Sequence, residues 1–180
     1  MDSTSKILVI GTSGSGKTTL AEKLSKLLDI KNIELDAFNW KENWTQSSIE
    51  EFRKNIEDSI KDTKGYVLHG NYNEVKDLTW GNVDTVIWLD YKRIVVMWRV
   101  LKRTIRRIIT QEELWAGNKE TFKTSFLEKD AIVFWAWKTY KKRKEQYSRM
   151  VEENLYKIKE FIILKRPKEA EALLKRIAEF

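Results

Sequence analysis

Residues Gly11 to Thr18 read Gly-Thr-Ser-Gly-Ser-Gly-Lys-Thr and fit the pattern G-x-x-x-x-G-K-[ST] with no departure. Glycines let a backbone turn tightly enough for successive N–H groups to point inward at phosphate oxygens. A helix that begins at the end of such a loop adds its positive N-terminal end. Lys17 then reaches the β- and γ-phosphates, and the Thr18 hydroxyl binds Mg²⁺. The expected cradle is Gly11, Ser13, Gly14, Ser15, Gly16, Lys17, Thr18 and Thr19. Its chemistry is the binding of a nucleoside triphosphate with Mg²⁺.

Cations recur further along. Between Tyr91 and Gln111 there are seven basic residues and no acidic one. On a helical wheel Arg99, Arg103, Arg106 and Arg107 fall within about 100° of one another. They lie opposite an apolar stripe of Ile94, Trp98, Leu101, Ile105 and Ile108. The stripe is expected to face the core. The arginines, Arg103 and Arg107 foremost, are expected to face phosphate, because phosphoryl transfer spreads negative charge over oxygens that a guanidinium fork stabilises. Asp36 follows a short apolar run and can accept a proton from an acceptor hydroxyl or hold a metal-bound water. Trp40, Trp44 and Tyr72 offer aromatic faces on which a base can stack. Trp88 and Trp98 are expected in the core. His69 is the single histidine, and one histidine makes no metal cluster.

These residues need elements to position them. Lys6 to Ile10 reads as a buried strand, and Thr18 to Leu28 as a helix. Asn32 to Leu35 reads as a second strand ending at Asp36. Ser48-Ile49-Glu50-Glu51 is a capping-box pattern that opens a helix from Ile49 to Asp62. Gly65 to His69 and Asp84 to Leu89 read as strands, Tyr91 to Thr110 as a helix, and Glu128 to Ile158 as a long helical stretch. Glu160 to Leu164 is a fifth strand, and Pro167 suits the first turn of a last helix running to Ala178. Strands alternating with helices predict an α/β fold, a parallel sheet covered on both faces.

The chain has 180 residues, the length of a single domain. No segment approaches the ~18 uninterrupted apolar residues of a membrane span. Met1 to Ser5 carries no leader pattern, and no membrane partner is expected. There are no cysteines, which excludes disulfides and thiolate metal sites and fits a cytoplasmic location. The net charge of +7 suits nucleic acid, an anionic surface or phosphorylated small molecules.

Beyond the phosphate loop, several segments resemble the adenylate kinase-like P-loop proteins known as the topology modulation protein family. They are Glu34-Leu35-Asp36-Ala37-Phe38-Asn39-Trp40, His69-Gly70-Asn71-Tyr72, Val86 to Tyr91, Trp98 to Arg107, Glu113 to Glu120, Trp135-Ala136-Trp137 and Arg166 to Ala170. The resemblance runs along nearly the whole chain. It implies a three-layer P-loop NTPase fold with a five-stranded parallel sheet in the order 2-3-1-4-5. It implies a short lid at about residues 110–124. It also implies that Arg166 and Pro167 border the adenine, that Arg143 contacts phosphate, and that Asn71 and Tyr72 line the acceptor side. Asp36 resembles the aspartate that shikimate-type kinases use near Mg²⁺ and the acceptor, so Thr18 and Asp36 are the expected metal-side residues. In that order the third strand lies beside the phosphate loop, and it ends His69-Gly70-Asn71 without a carboxylate. Asp90 ends an apolar strand and is the other acidic candidate. The proline expected between Trp40 and Trp44 is missing.

No Asn-Lys-x-Asp motif is present, which argues against a GTPase, and motors or helicases need more chain. The leading expectation is an enzyme that uses ATP and Mg²⁺ to phosphorylate a small acceptor, a nucleotide or nucleoside. The alternative is a nucleic-acid-associated module in which ATP binding is regulatory; it is not favoured, because no nucleic-acid-binding motif is present.

Overall fold

The computed structural model describes residues 1–127 and 131–179. Its centre is a run of apolar residues. Ile7, Leu8, Val9 and Ile10 are each at most 2% exposed, which is the pattern of a parallel strand covered on both faces. They belong to β1 (Lys6–Gly11). Four strands join it: β2 (Lys31–Glu34), β3 (Tyr66–His69), β4 (Thr85–Leu89) and β5 (Glu160–Leu164). All pairings are parallel, and the order is β2-β3-β1-β4-β5. This is the order implied by the family resemblance.

Among the described residues, seven α-helices connect and cover the sheet: α1 (Lys17–Leu28), α2 (Leu35–Asn39), α3 (Ile49–Ile60), α4 (Lys76–Gly81), α5 (Arg93–Thr110), α6 (Ile132–Glu153) and α7 (Pro167–Ala178). One core layer packs Leu20 and Leu24 of α1, Val96 and Val100 of α5 and Leu173 of α7 against the sheet. The other packs Phe52 and Ile56 of α3, Trp80 of α4 and Tyr147 of α6. Ser48 caps α3 by accepting from the Glu51 N–H at 3.2 Å. Trp88, 5% exposed, is in the core as expected.

The structure differs from expectation at several points. β2 stops at Glu34, so Asp36 lies in the first turn of α2 rather than at a strand end. Helix α4 was not foreseen; it is short, and it forms because Val75 and Trp80 find a core to enter. The start of the long helix expected from Glu128 lies outside the described residues, and the helix observed runs from Ile132 to Glu153.

The largest correction concerns α5. Its expected core stripe points outward: Ile94 is 75% exposed, Trp98 65% and Ile105 44%. The buried row is Val96, Val100 and Thr104. The reason is the close approach of α5 to the phosphate loop. A Cβ placed on Gly14 would overlap Val100 Cγ2 and lie 3.0 Å from the Val96 carbonyl oxygen. Only short β-branched side chains fit such an approach, so the larger apolar residues take the far side.

Candidate active site

The loop from Gly11 to Lys17 needs backbone that L-residues avoid. Gly14 has φ 79° and Gly16 has φ 97°; both lie in the left-handed region where a Cβ is costly. Gly16 leads directly into α1. Lys17 folds back and donates to the carbonyls of Gly11 (3.0 Å) and Thr12 (3.2 Å). Burial pushes its ammonium down to about 8, and Arg103 and Arg143 push the same way while Asp36 opposes them. The Ser15 hydroxyl is buried with no partner. A strongly cationic, desolvated cradle with an orphaned donor fits a polyphosphate.

Arg99 lies over this loop and donates to the Ser15 carbonyl at 3.0 Å. Arg103 is held below its ordinary range by burial and then by Arg107, and its Nε is buried without a partner. Arg107, 14% exposed, donates to Glu120 at 2.7 Å. Arg106 turns to solvent and pairs with Glu112 at 2.7 Å. So three of the four arginines read from the wheel face inward. From α6, Arg143 donates to the Asn71 carbonyl at 3.2 Å.

Asn71 and Tyr72 stand beyond β3. Asn71 donates to the Gly11 carbonyl at 2.7 Å and accepts from the Tyr147 hydroxyl at 2.7 Å. The Tyr72 hydroxyl donates to an Asp36 oxygen. Burial, then the Asp36 charge, pushes this phenol well above its ordinary value. Asp90 forms an ion pair with Lys144 at 2.7 Å.

Trp40 and Trp44 meet edge to face at 5.6 Å, and Trp44 meets Trp115, within the segment expected as a lid, at 6.5 Å. Asn118 ties the two loops together: it accepts from the Trp44 N–H at 2.9 Å and donates to the Lys41 carbonyl at 2.8 Å. Each loop is a tight turn closed by an antiparallel bridge, Trp40 with Gln46 and Glu113 with Lys119. Arg166 and Pro167 open α7, where the Arg166 side chain is 82% exposed and lies 3.8 Å from Glu169.

Glu34 was missed from sequence. Its Oε1 accepts from the Thr18 hydroxyl at 3.4 Å and lies 4.0 Å from His69 Nδ1. Parallel pairing of β2 and β3 sets Glu34 opposite His69. Burial raises the Glu34 carboxyl, and burial with the Lys17 charge lowers His69 to about 4, so His69 is neutral. A carboxylate from β2 thus stands where β3 lacks one. The available signal was the Glu-x-Asp spacing before Trp40. Among the described residues no three His, Cys, Asp or Glu are grouped to hold a metal alone. Mg²⁺ would therefore depend on phosphate oxygens together with Thr18 and the Glu34 and Asp36 carboxylates, which suits its preference for few protein ligands.

A family model described as ATPase family associated with various cellular activities (AAA) matches residues 7–90, a little under half of the chain. A search among curated proteins gives no match. Among solved structures, shikimate kinase from Bacteroides thetaiotaomicron is similar at a TM-score of 0.57 and 14% identity, covering 97% of this chain and 97% of that one. A deoxyadenosine kinase from M. mycoides, solved with the products dCMP and dCDP, is similar at a TM-score of 0.51 and 16% identity, covering 97% of this chain and 94% of that one. No described helix is long and apolar enough to cross a membrane. Sheet order and these two likenesses agree on the fold, a five-stranded parallel sheet in the order 2-3-1-4-5 with helices on both faces, which the chain shares with those two proteins.

Proposed function

We propose that the protein is an ATP-dependent phosphotransferase acting on a hydroxyl of a small acceptor, a nucleotide or nucleoside. The observation that carries this reading is the convergence on Lys17. Asp36, Arg103, Arg143 and Glu34 all lie near enough to bias its charge, and they come from α2, α5, α6 and β2. A cradle for phosphate alone needs no carboxylate and phenol beside it.

ATP with Mg²⁺, when bound, supplies the γ-phosphoryl group, with ADP as the leaving group. Lys17, Arg103 and Arg107 hold the negative charge that develops on the oxygens. Asp36 accepts the acceptor's hydroxyl proton, and Tyr72 fixes the orientation of that carboxylate. Glu34 holds the Thr18 hydroxyl on the metal side. Trp40, Trp44 and Trp115 roof the acceptor and keep water away from the reacting oxygen. The backbone at Arg166 and Pro167 borders the adenine. The segments from Glu34 to Trp40 and from Glu113 to Glu120 support a finer reading, a member of the topology modulation group that resembles the adenylate kinases in these segments but takes a hydroxyl, not a phosphate oxygen, as its acceptor atom.

The test is Asp36→Asn assayed with ATP and a panel of nucleosides, nucleoside monophosphates and hydroxylated acids. Loss of kcat by about 10²-fold or more, with ATP affinity retained, is the expected result for a general base. Wild-type kcat in this variant would refute the assignment.

A further inference from the structure

Helix α5 turns an apolar face to solvent. Ile94 and Ile109 are each 75% exposed, Trp98 is 65% and Ile105 44%. Beside them on α6, Phe134 is 57% exposed and Trp137 52%, with the Arg93 guanidinium 3.3 Å over the Trp137 ring. The tryptophans and phenylalanine, side chains of ~150–250 Å² each, present on the order of 350 Å² between them. With the isoleucines the patch approaches the ~800 Å² per partner of a standard interface. The kinase reading uses none of these residues.

The spacing names the kind of partner. Ile94, Trp98, Leu101 and Ile105 follow one another at intervals of four, three and four, and the exposed Ile109 continues the stripe four residues on; Leu101 at its centre is half-buried. That is a heptad seam, the narrow stripe that one helix offers another. The seam is also self-complementary. If a second α5 runs antiparallel, Ile94 falls opposite Ile109 and Trp98 opposite Ile105, with a twofold axis between Leu101 and Lys102. An isologous dimer requires this reciprocity. Charge permits it. Arg99, Arg103 and Arg107 lie on the opposite side of the helix, Arg106 is paired with Glu112, and Arg93 stacks on Trp137. Lys102 remains beside the axis, where its stem can lie along the seam and leave its ammonium in water.

We propose that this face is the interface with a second copy of the chain, formed by antiparallel pairing of two α5 helices. The back of each seam helix carries Arg99, Arg103 and Arg107, so pairing braces the arginines of both sites.

The experiment is sedimentation equilibrium of the full chain at 1–100 µM loading, a range of the order in which weak dimers dissociate. A mass twice the 21.4 kDa of one chain is expected. The double variant Trp98→Ser/Ile105→Ser should weaken association at least tenfold while its thermal melt stays within a few degrees of wild type. Leu155→Ser, at a site that is 73% exposed and off the seam, should leave the dimer intact. Added salt should tighten the dimer, because it screens the remaining like charges. The chain has no cysteine, so a single Leu101→Cys can form a disulfide only between copies. It should do so under mild oxidation far faster than Leu155→Cys. A monomer at every concentration overturns the proposal, as does a dimer indifferent to the seam variant or slow Leu101→Cys crosslinking. A monomer that sediments with phosphatidylglycerol vesicles through Trp98 also overturns it, in favour of a bilayer surface.

Discussion

Lys17 is a charge kept where charge is costly. Its folded value of about 8 lies below the 10.5 of an exposed lysine. Between those values the unfolded chain binds the proton and the folded chain does not, so stability rises with pH across that window and is flat below it. At neutral pH the folded protein carries a cost of about 3 kcal/mol at this residue. Lys17→Met should therefore raise the melting temperature at pH 7, remove the rise in stability above pH 8 and abolish ATP binding. Thermal melts from pH 6 to 10, with and without ATP, check all three. A variant whose stability still rises between pH 8 and 10 would mean that Lys17 is not the desolvated group. Glu34 and Asp36 should separate by role. Glu34→Gln should raise the Mg²⁺ concentration needed to bind ATP, measured by titration calorimetry, with less effect on the acceptor's KM. The phosphate loop was legible because its residues are consecutive. Glu34 was not, because its partners His69 and Thr18 reach it only through strand register and the turn into α1.

Helix α5 was legible as a helix but not in its facing. Amphipathic pattern alone says that an apolar stripe seeks cover. It does not say that a glycine loop lies so near that only Val96, Val100 and Thr104 can enter. That proximity predicts that Gly14→Ala, with a positive φ and Val100 in the way, loses about 2–5 kcal/mol, readable by urea denaturation. Val100→Ala in the same chain should recover part of the loss by making room. The lid was expected at about residues 110–124, and Trp115 and Asn118 within it lie against the acceptor-side loop. Removing the Asn118 bonds should loosen both loops together. Asn118→Ala should raise the acceptor's KM and increase ATP hydrolysis in the absence of acceptor, because water enters when the roof opens. A change in KM without added hydrolysis would place Asn118 in binding alone.

At the scale of the molecule, alternation of strands and helices was enough to predict a parallel sheet covered on both faces, and the family resemblance supplied the strand order that the structure shows. The acceptor region was harder to read. Its groups come from α2, the segments after β3 and β4, the lid and α6, which meet only when the sheet is assembled. The proposed activity of this assembly is the transfer of a phosphoryl group to a bound hydroxyl. The direct measurement is the fate of γ-labelled ATP, incubated with Mg²⁺ and each of a panel of nucleosides, nucleoside monophosphates and hydroxylated acids, with Lys17→Ala as control. Label should appear on one class of acceptor, depend on Lys17 and form little inorganic phosphate. Label that stays on ATP, or passes to water at the same rate whatever acceptor is present, would contradict the account.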